Sequence, residues 1–239
     1  MQRMLPRIAM TMLLFLSTHG VNAASLRVAP TSLELIAPSG TAVLNLANDG
    51  DHTINVQVRI FKWSQTGGVE RLEPTRDVVA SPPSAKMSPN GQYVVRVVRT
   101  SKTPVKMEET YRVIVDELPD PKLARSGTVT LIMRHSIPVF FKRADIKPAE
   151  VSWNLSKQGN SLLLTGRNNG GGRFRLSNLT LTQGSAKIAS RSGLVGYVLG
   201  GATMQWPIAT ARYLAGGTIT LQGQSDLGPF NANVAVAKN

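Results

Sequence analysis

Two histidines, His52 and His135, lie beyond the first 23 residues, and neither sits in a pattern that would make its imidazole a catalyst or a ligand. No nucleophile-elbow motif offers a serine beside them, and no His-x-x-x-His pair or Asp-rich loop suggests a metal. The Asp and Glu residues form no evident acid–base pair of the kind that cleaves glycosidic bonds. Cysteine is absent, which excludes a thiol nucleophile, a thiolate zinc site and any disulfide. The run Asn168-Asn169-Gly170-Gly171-Gly172 has the flexibility of a phosphate cradle but lacks the Gly-Lys-Ser/Thr and helix that would complete one, so it reads as a loop. The residues therefore point away from an enzyme, and no cofactor or metal is expected.

Charge and hydropathy bound the alternatives. Lys and Arg outnumber Asp and Glu by 13, and still by 11 once Arg3 and Arg7 are set aside. Such a field attracts acidic partners. The basic residues are scattered along the chain, aromatic residues are sparse, and a nucleic-acid partner is not expected. Arg3 and Arg7, the apolar run Ile8 to Leu16 and the small-residue ending Val21-Asn22-Ala23 have the form of a secretory signal over 1–23. That run is too short to span a bilayer, and no later window supplies roughly 18 consecutive apolar residues, so stable membrane insertion is not expected.

The elements that must position any site are strands. Ile54, Val56, Val58 and Ile60 alternate with Asn55, Gln57 and Arg59, so one face packs inward and the other meets water. Further strands are predicted at 32–36, 41–48, 92–99, 110–117 and 128–141, with turn residues at 37–40, 48–51, 64–68 and 88–91. A charged, proline-bearing stretch over 143–149 reads as a linker. Strands follow at 150–155, 161–166, 179–182, 203–207, 218–222 and 233–237. The pattern predicts an all-β protein: a signal at 1–23, one immunoglobulin-like sandwich over 24–143 and a second over 149–239.

Ser81-Pro82-Pro83, the block Ser88 to Val97, Tyr111 to Pro119, the basic loop Asp120 to Ser126 and Ile137 to Arg143 occur in an order and spacing that resemble the periplasmic chaperones of the chaperone-usher pathway. The resemblance covers the first domain well and the second only in length and β pattern. It implies two immunoglobulin-like sandwiches in an L or boomerang and no catalytic activity. It also implies a periplasmic location, pilin subunits as partners and an outer-membrane usher as recipient. A pilin lacks its final strand, and the chaperone lends one.

Residue by residue, the resemblance makes Val129, Leu131 and Met133 the side chains that enter the pilin groove. At about 1.5–3 kcal/mol for each buried apolar side chain, three supply roughly 5–9 kcal/mol before ordering costs. Periodicity alone leaves open whether they serve the groove or this domain's own core. The P-pilus type anchors the subunit's terminal carboxylate with an arginine in the first strand and a lysine in the last; those positions are Ser32 and Pro138 here. The pattern resembles the archaic branch, in which the anchor is the arginine of the Asp-Glu-Leu-Pro strand, Arg112, with Arg134 and Lys142 able to assist. The same match makes Arg96, Glu117 and Lys142 an internal charge cluster supporting the domain interface. A second reading is an exported adhesin-like or carbohydrate-binding module, for which Trp63, Trp153 and Trp206 are the large stacking residues.

Overall fold

The computed structural model describes residues 26–119, 132–159, 161–209 and 217–237; the expected signal segment lies outside them. Among the described residues every regular element is a strand. The first ten are β1 (Leu26–Ala29), β2 (Leu33–Ile36), β3 (Thr41–Asn48), β4 (Ile54–Thr66), β5 (Val69–Pro74), β6 (Val78–Ser81), β7 (Ser84–Met87), β8 (Gln92–Arg99), β9 (Glu109–Leu118) and β10 (Arg134–Lys142). The remaining seven are β11 (Val151–Gln158), β12 (Ser161–Asn168), β13 (Phe174–Gln183), β14 (Ala186–Val198), β15 (Thr203–Ala209), β16 (Thr218–Ser225) and β17 (Gly228–Ala237).

The first ten strands form two facing sheets. One has the order β1-β3-β8-β6; the other runs β2-β10-β9-β4-β5, with β7 also on β4. Alternation decides what lies between them. Ile54, Val56 and Val58 on β4, Tyr111, Val113 and Val115 on β9, and Ile137, Val139 and Phe141 on β10 point inward against Leu44, Leu46, Val95 and Val97 of the opposite sheet. This is an immunoglobulin-like sandwich, as the period-two reading predicts.

β4 continues past the expected alternation to Thr66, and the turn narrows to Gly67-Gly68, both at positive φ. Only glycine holds that pair without a Cβ penalty. β5 follows with every side chain exposed, which is why it leaves no alternating signal in the sequence.

The second unit is one continuous sheet, β14-β13-β16-β17-β11-β12-β15, folded over its own core. Leu155, Leu164, Trp206 and Ile208 from one half meet Leu176, Leu179, Leu181, Ile219 and Leu221 from the other. The glycine-rich segment is a packed loop, not a loose one. Asn168 is buried and donates to the Gly172 and Val198 carbonyls, while its carbonyl oxygen accepts from the Glu150 and Gly170 amides. A Cβ on Gly170 would fall 2.0 Å from the Pro148 carbonyl oxygen, so this position fits only glycine.

A third apolar cluster joins the two units. Trp63 and Phe140 from the first pack on Tyr197 and Leu199 from the second. Trp63 meets Tyr197 edge-on at 5.4 Å between centroids, and Phe140 lies 5.9 Å from the same ring. The Gln65 side chain, nearly buried, donates to the Tyr197 carbonyl at 2.8 Å and accepts from the Leu199 amide at 2.9 Å. A buried amide that meets backbone in both directions fixes register as well as contact.

Candidate functional site

β10 has two unlike halves. On one side it pairs with β9 along its length, from Arg134 opposite Asp116 to Phe141 opposite Glu109. On the other side β2 pairs with Val139 to Lys142 only. From Arg134 to Pro138 no described strand covers that edge. The Glu117 amide donates to the Met133 carbonyl, so by antiparallel alternation Met133, His135 and Ile137 turn their backbone groups toward β9. Arg134 and Ser136 then turn theirs to the uncovered side. Pro138 has no N–H to leave unpaired, which suits a position where one edge partner ends and another begins.

The uncovered edge runs into a cleft of about 380 Å³ between the two units. Thr31, Ser32, Ser136, Pro138 and Arg112 line it from the first unit; Arg173, Arg175, Leu194, Tyr197 and Asp226 line it from the second. Arg112 is placed by sheet register. It faces Pro138 on one side and Phe61 on the other, on the outer face of β9. Its guanidinium carbon lies 3.8 Å from the Trp63 ring centroid and 5.9 Å from that of Tyr197, and its side chain is only 12% exposed.

Burial pushes the Arg112 pKa down, against the opposing pull of Glu70 and Tyr197. Glu70 is 3.7 Å away, an ion pair too long for a hydrogen bond. A guanidinium held dry on an aromatic face with so loose a counter-ion is poised for an anion. Its planar fork suits a carboxylate.

Arg173, beside it, is paired through its terminal nitrogens, while its buried Nε has no hydrogen-bond partner. It donates to Glu108 at 2.6 Å, pairs with Glu34, lies 3.6 Å from Asp226 and stacks 3.7 Å from the Phe140 ring centroid. This links the first and second units through charge as the aromatic cluster does through packing. Lys142 joins the group through Glu34 at 3.6 Å. Burial pushes the Asp226 carboxyl above its ordinary range, with Arg173 opposing.

The expected charge cluster of Arg96, Glu117 and Lys142 is not brought together. Arg96 is exposed on β8 in the other sheet, and Glu117 sits beside Met133, whereas Lys142 ends β10. Nine residue steps separate Met133 from Lys142, or about 30 Å of extended strand. The charges that tie the interface are instead Arg173, Glu34, Glu108, Asp226 and Lys142.

Arg134 likewise does not reach Arg112. Its row lies four residues along β10 from the Pro138 row, about 13 Å away. It pairs with the buried Asp116, which also accepts from Arg59 at 2.5 Å. Burial pushes the Asp116 pKa up, but hydrogen bonds from Arg134 and Arg59 outweigh it and hold the carboxyl below its ordinary 3.8. Met133 is half-buried on the β10 face that carries Ile137 and Val139. Val129 and Leu131 lie outside the described residues.

Trp63 and Trp206 are buried, and Trp153 stacks on Phe230 within the second core, so these rings pack inside rather than offering a platform for sugars. His135 contacts the Leu26 carbonyl at 3.0 Å, and His52 sits beside Asp51. Among the described residues no cluster of His, Asp or Glu could hold a metal, and no helix is long and apolar enough to cross a membrane.

Residues 25–147, more than half of the chain, match the family model described as pili and flagellar-assembly chaperone, PapD N-terminal domain. No curated protein matches the chain. Among solved structures it is similar to the CsuC–CsuE chaperone–tip adhesion subunit pre-assembly complex from the archaic chaperone-usher Csu pili of Acinetobacter baumannii. The identity is 24% and the TM-score 0.70, over 90% of this chain and 100% of that one. It is also similar to the E. coli chaperone DraB, at 23% identity and TM-score 0.60, covering 88% and 97%. The SafB chaperone of Salmonella enterica, in complex with the SafA pilin, matches at 21% identity and TM-score 0.60, covering 88% and 96%. These likenesses establish the two-domain immunoglobulin-like fold.

Proposed function

The chain belongs to the pilus-assembly chaperones that carry a PapD-type N-terminal domain, and from that premise we propose that it is a periplasmic chaperone of the archaic type that completes pilin subunits by strand donation and delivers them to an outer-membrane usher. The observation that carries this reading is the uncovered edge of β10 ending at a dry, under-paired arginine.

A pilin strand added along that edge meets the outward backbone groups of Arg134 and Ser136 and must stop where β2 begins. Its end then lies in the cleft beside Ser32, Pro138 and Arg112. A cation there selects the carboxylate end of the strand. The subunit strand therefore runs parallel to β10, with its C-terminus at Arg112. Ser32 and Pro138 line the same cleft without charge, which leaves Arg112 as the anchor contributed by the first domain.

Upstream of Arg134, the side chains of Val129, Leu131 and Met133 fill the pilin's open groove. Release follows when another subunit's strand replaces them. The exchange swaps one set of strand hydrogen bonds for another, so tighter packing by the incoming strand is sufficient to drive it.

Co-expression with a pilin from the same organism tests the reading. The parent chain should yield a soluble complex, and Leu131→Asp, folded by circular dichroism, should yield none. Normal capture by that variant would show that these side chains do not enter the groove.

A further inference from the structure

The cleft at the end of β10 is built from both domains, and its charges are unevenly paired. Its lining holds three guanidiniums, Arg112, Arg173 and Arg175, against two carboxylates, Glu34 and Asp226. Arg173 is committed to Glu108, Glu34 and Asp226. Arg175 is not. It is half-buried on β13, yet among the described residues no carboxylate lies within 4 Å of its side chain.

Backbone register sets Arg175 opposite Tyr197 on β14. The Tyr197 ring in turn lies 5.9 Å from the Arg112 guanidinium carbon. The two arginines thus line one space from opposite domains, and Tyr197 neighbours both. Thr31, Ser32 and Ser136 bring hydroxyl groups to the same cleft.

We propose that Arg175 is the second cation of this site, so that the terminal carboxylate of an incoming strand is held between Arg112 of the first domain and Arg175 of the second. This rests on reading the β10 edge as the docking edge.

The chemistry is that of the ligand's end. An α-carboxylate has two oxygens with about four acceptor positions, enough for two guanidinium forks to share. Arg175 interacts with Asp226 only beyond contact distance, and a ligand carboxylate in the cleft would give it a direct partner. The strand's end would then touch both domains and report on their mutual placement.

The test uses the full chain and two synthetic peptides of alternating valine and threonine, identical except that one ends in a free carboxylate and the other in an amide. The parent should bind the acid form more tightly than the amide. Arg175→Gln should reduce that preference about ten-fold, the scale of a lost charge-assisted hydrogen bond, with amide affinity and thermal midpoint unchanged. Arg175→Lys should restore most of it.

If Arg175→Gln keeps the full preference while Arg112→Gln loses it, the role of Arg175 is overturned and the Arg112 anchor stands. Equal weakening toward both peptides by Arg175→Gln would mark a packing role and also overturn the inference. If neither substitution alters the preference, the carboxylate site itself is wrong.

Discussion

The two halves of β10 are one continuous strand with opposite surroundings. From Val139 to Phe141 it has β2 on one side and β9 on the other, with Phe141 in the core of the first domain and Phe140 under Trp63, Tyr197 and Arg173. From Arg134 to Pro138 it keeps β9, but no described strand covers its other edge, and its outer face carries the Arg134–Asp116–Arg59 group. Strand donation needs both conditions. An edge that is free everywhere would slip in register or aggregate, whereas one paired everywhere has nothing to lend. Rooting one half fixes the register of the other, and Pro138 and Arg112 mark the boundary.

This contrast can be broken at graded cost. Phe140→Ala removes the ring on which Trp63, Tyr197 and Arg173 converge. It should lower unfolding stability by about 3–5 kcal/mol in a denaturant titration.

Asp116→Asn acts on the open half. It should cost about 1–2 kcal/mol, because Asp116 is buried while its partners Arg59 and Arg134 are partly screened by water. The native pKa of Asp116 lies below 3.8, so its contribution is complete above that value and is lost as pH falls through the native pKa. The stability gap between parent and Asp116→Asn should therefore close in acid below about pH 4. A gap that persists there would mean that packing, not charge, holds this face.

Arg112→Met keeps bulk over Trp63 but removes a charge that burial already disfavours. It should shift stability by less than about 1 kcal/mol, while pilin capture in co-purification falls sharply. A large loss of stability with normal capture would move Arg112 from the docking end of the strand to its rooted end.

Much of this was legible in the sequence, because sandwich strands announce themselves by alternation. β3 and β8 begin and end where the period-two reading puts them, and Ile54, Val56 and Val58 face inward as their spacing requires. β5 and most of β14 escaped because their side chains are largely exposed and show no inward face. Arg112 was reachable only through resemblance; its burial against Trp63 depends on the register of β4 with β9 and on the second domain, neither visible locally. The interface charges were missed for the same reason. Arg173 and Glu34 are 139 residues apart, and only the fold sets them side by side. The local hint was Arg173 itself, a cation that follows directly on a glycine-rich loop and opens an apolar strand.

The central claim is that the edge from Arg134 to Pro138 receives a strand. Residue-resolved amide hydrogen exchange in the free chain and in a chaperone–pilin complex tests it directly. The amides of Arg134 and Ser136 should exchange quickly when free and become protected in the complex, while those of His135 and Ile137, already bonded to β9, change little. Rapid exchange at Arg134 and Ser136 in a saturated complex would mean that the subunit docks elsewhere.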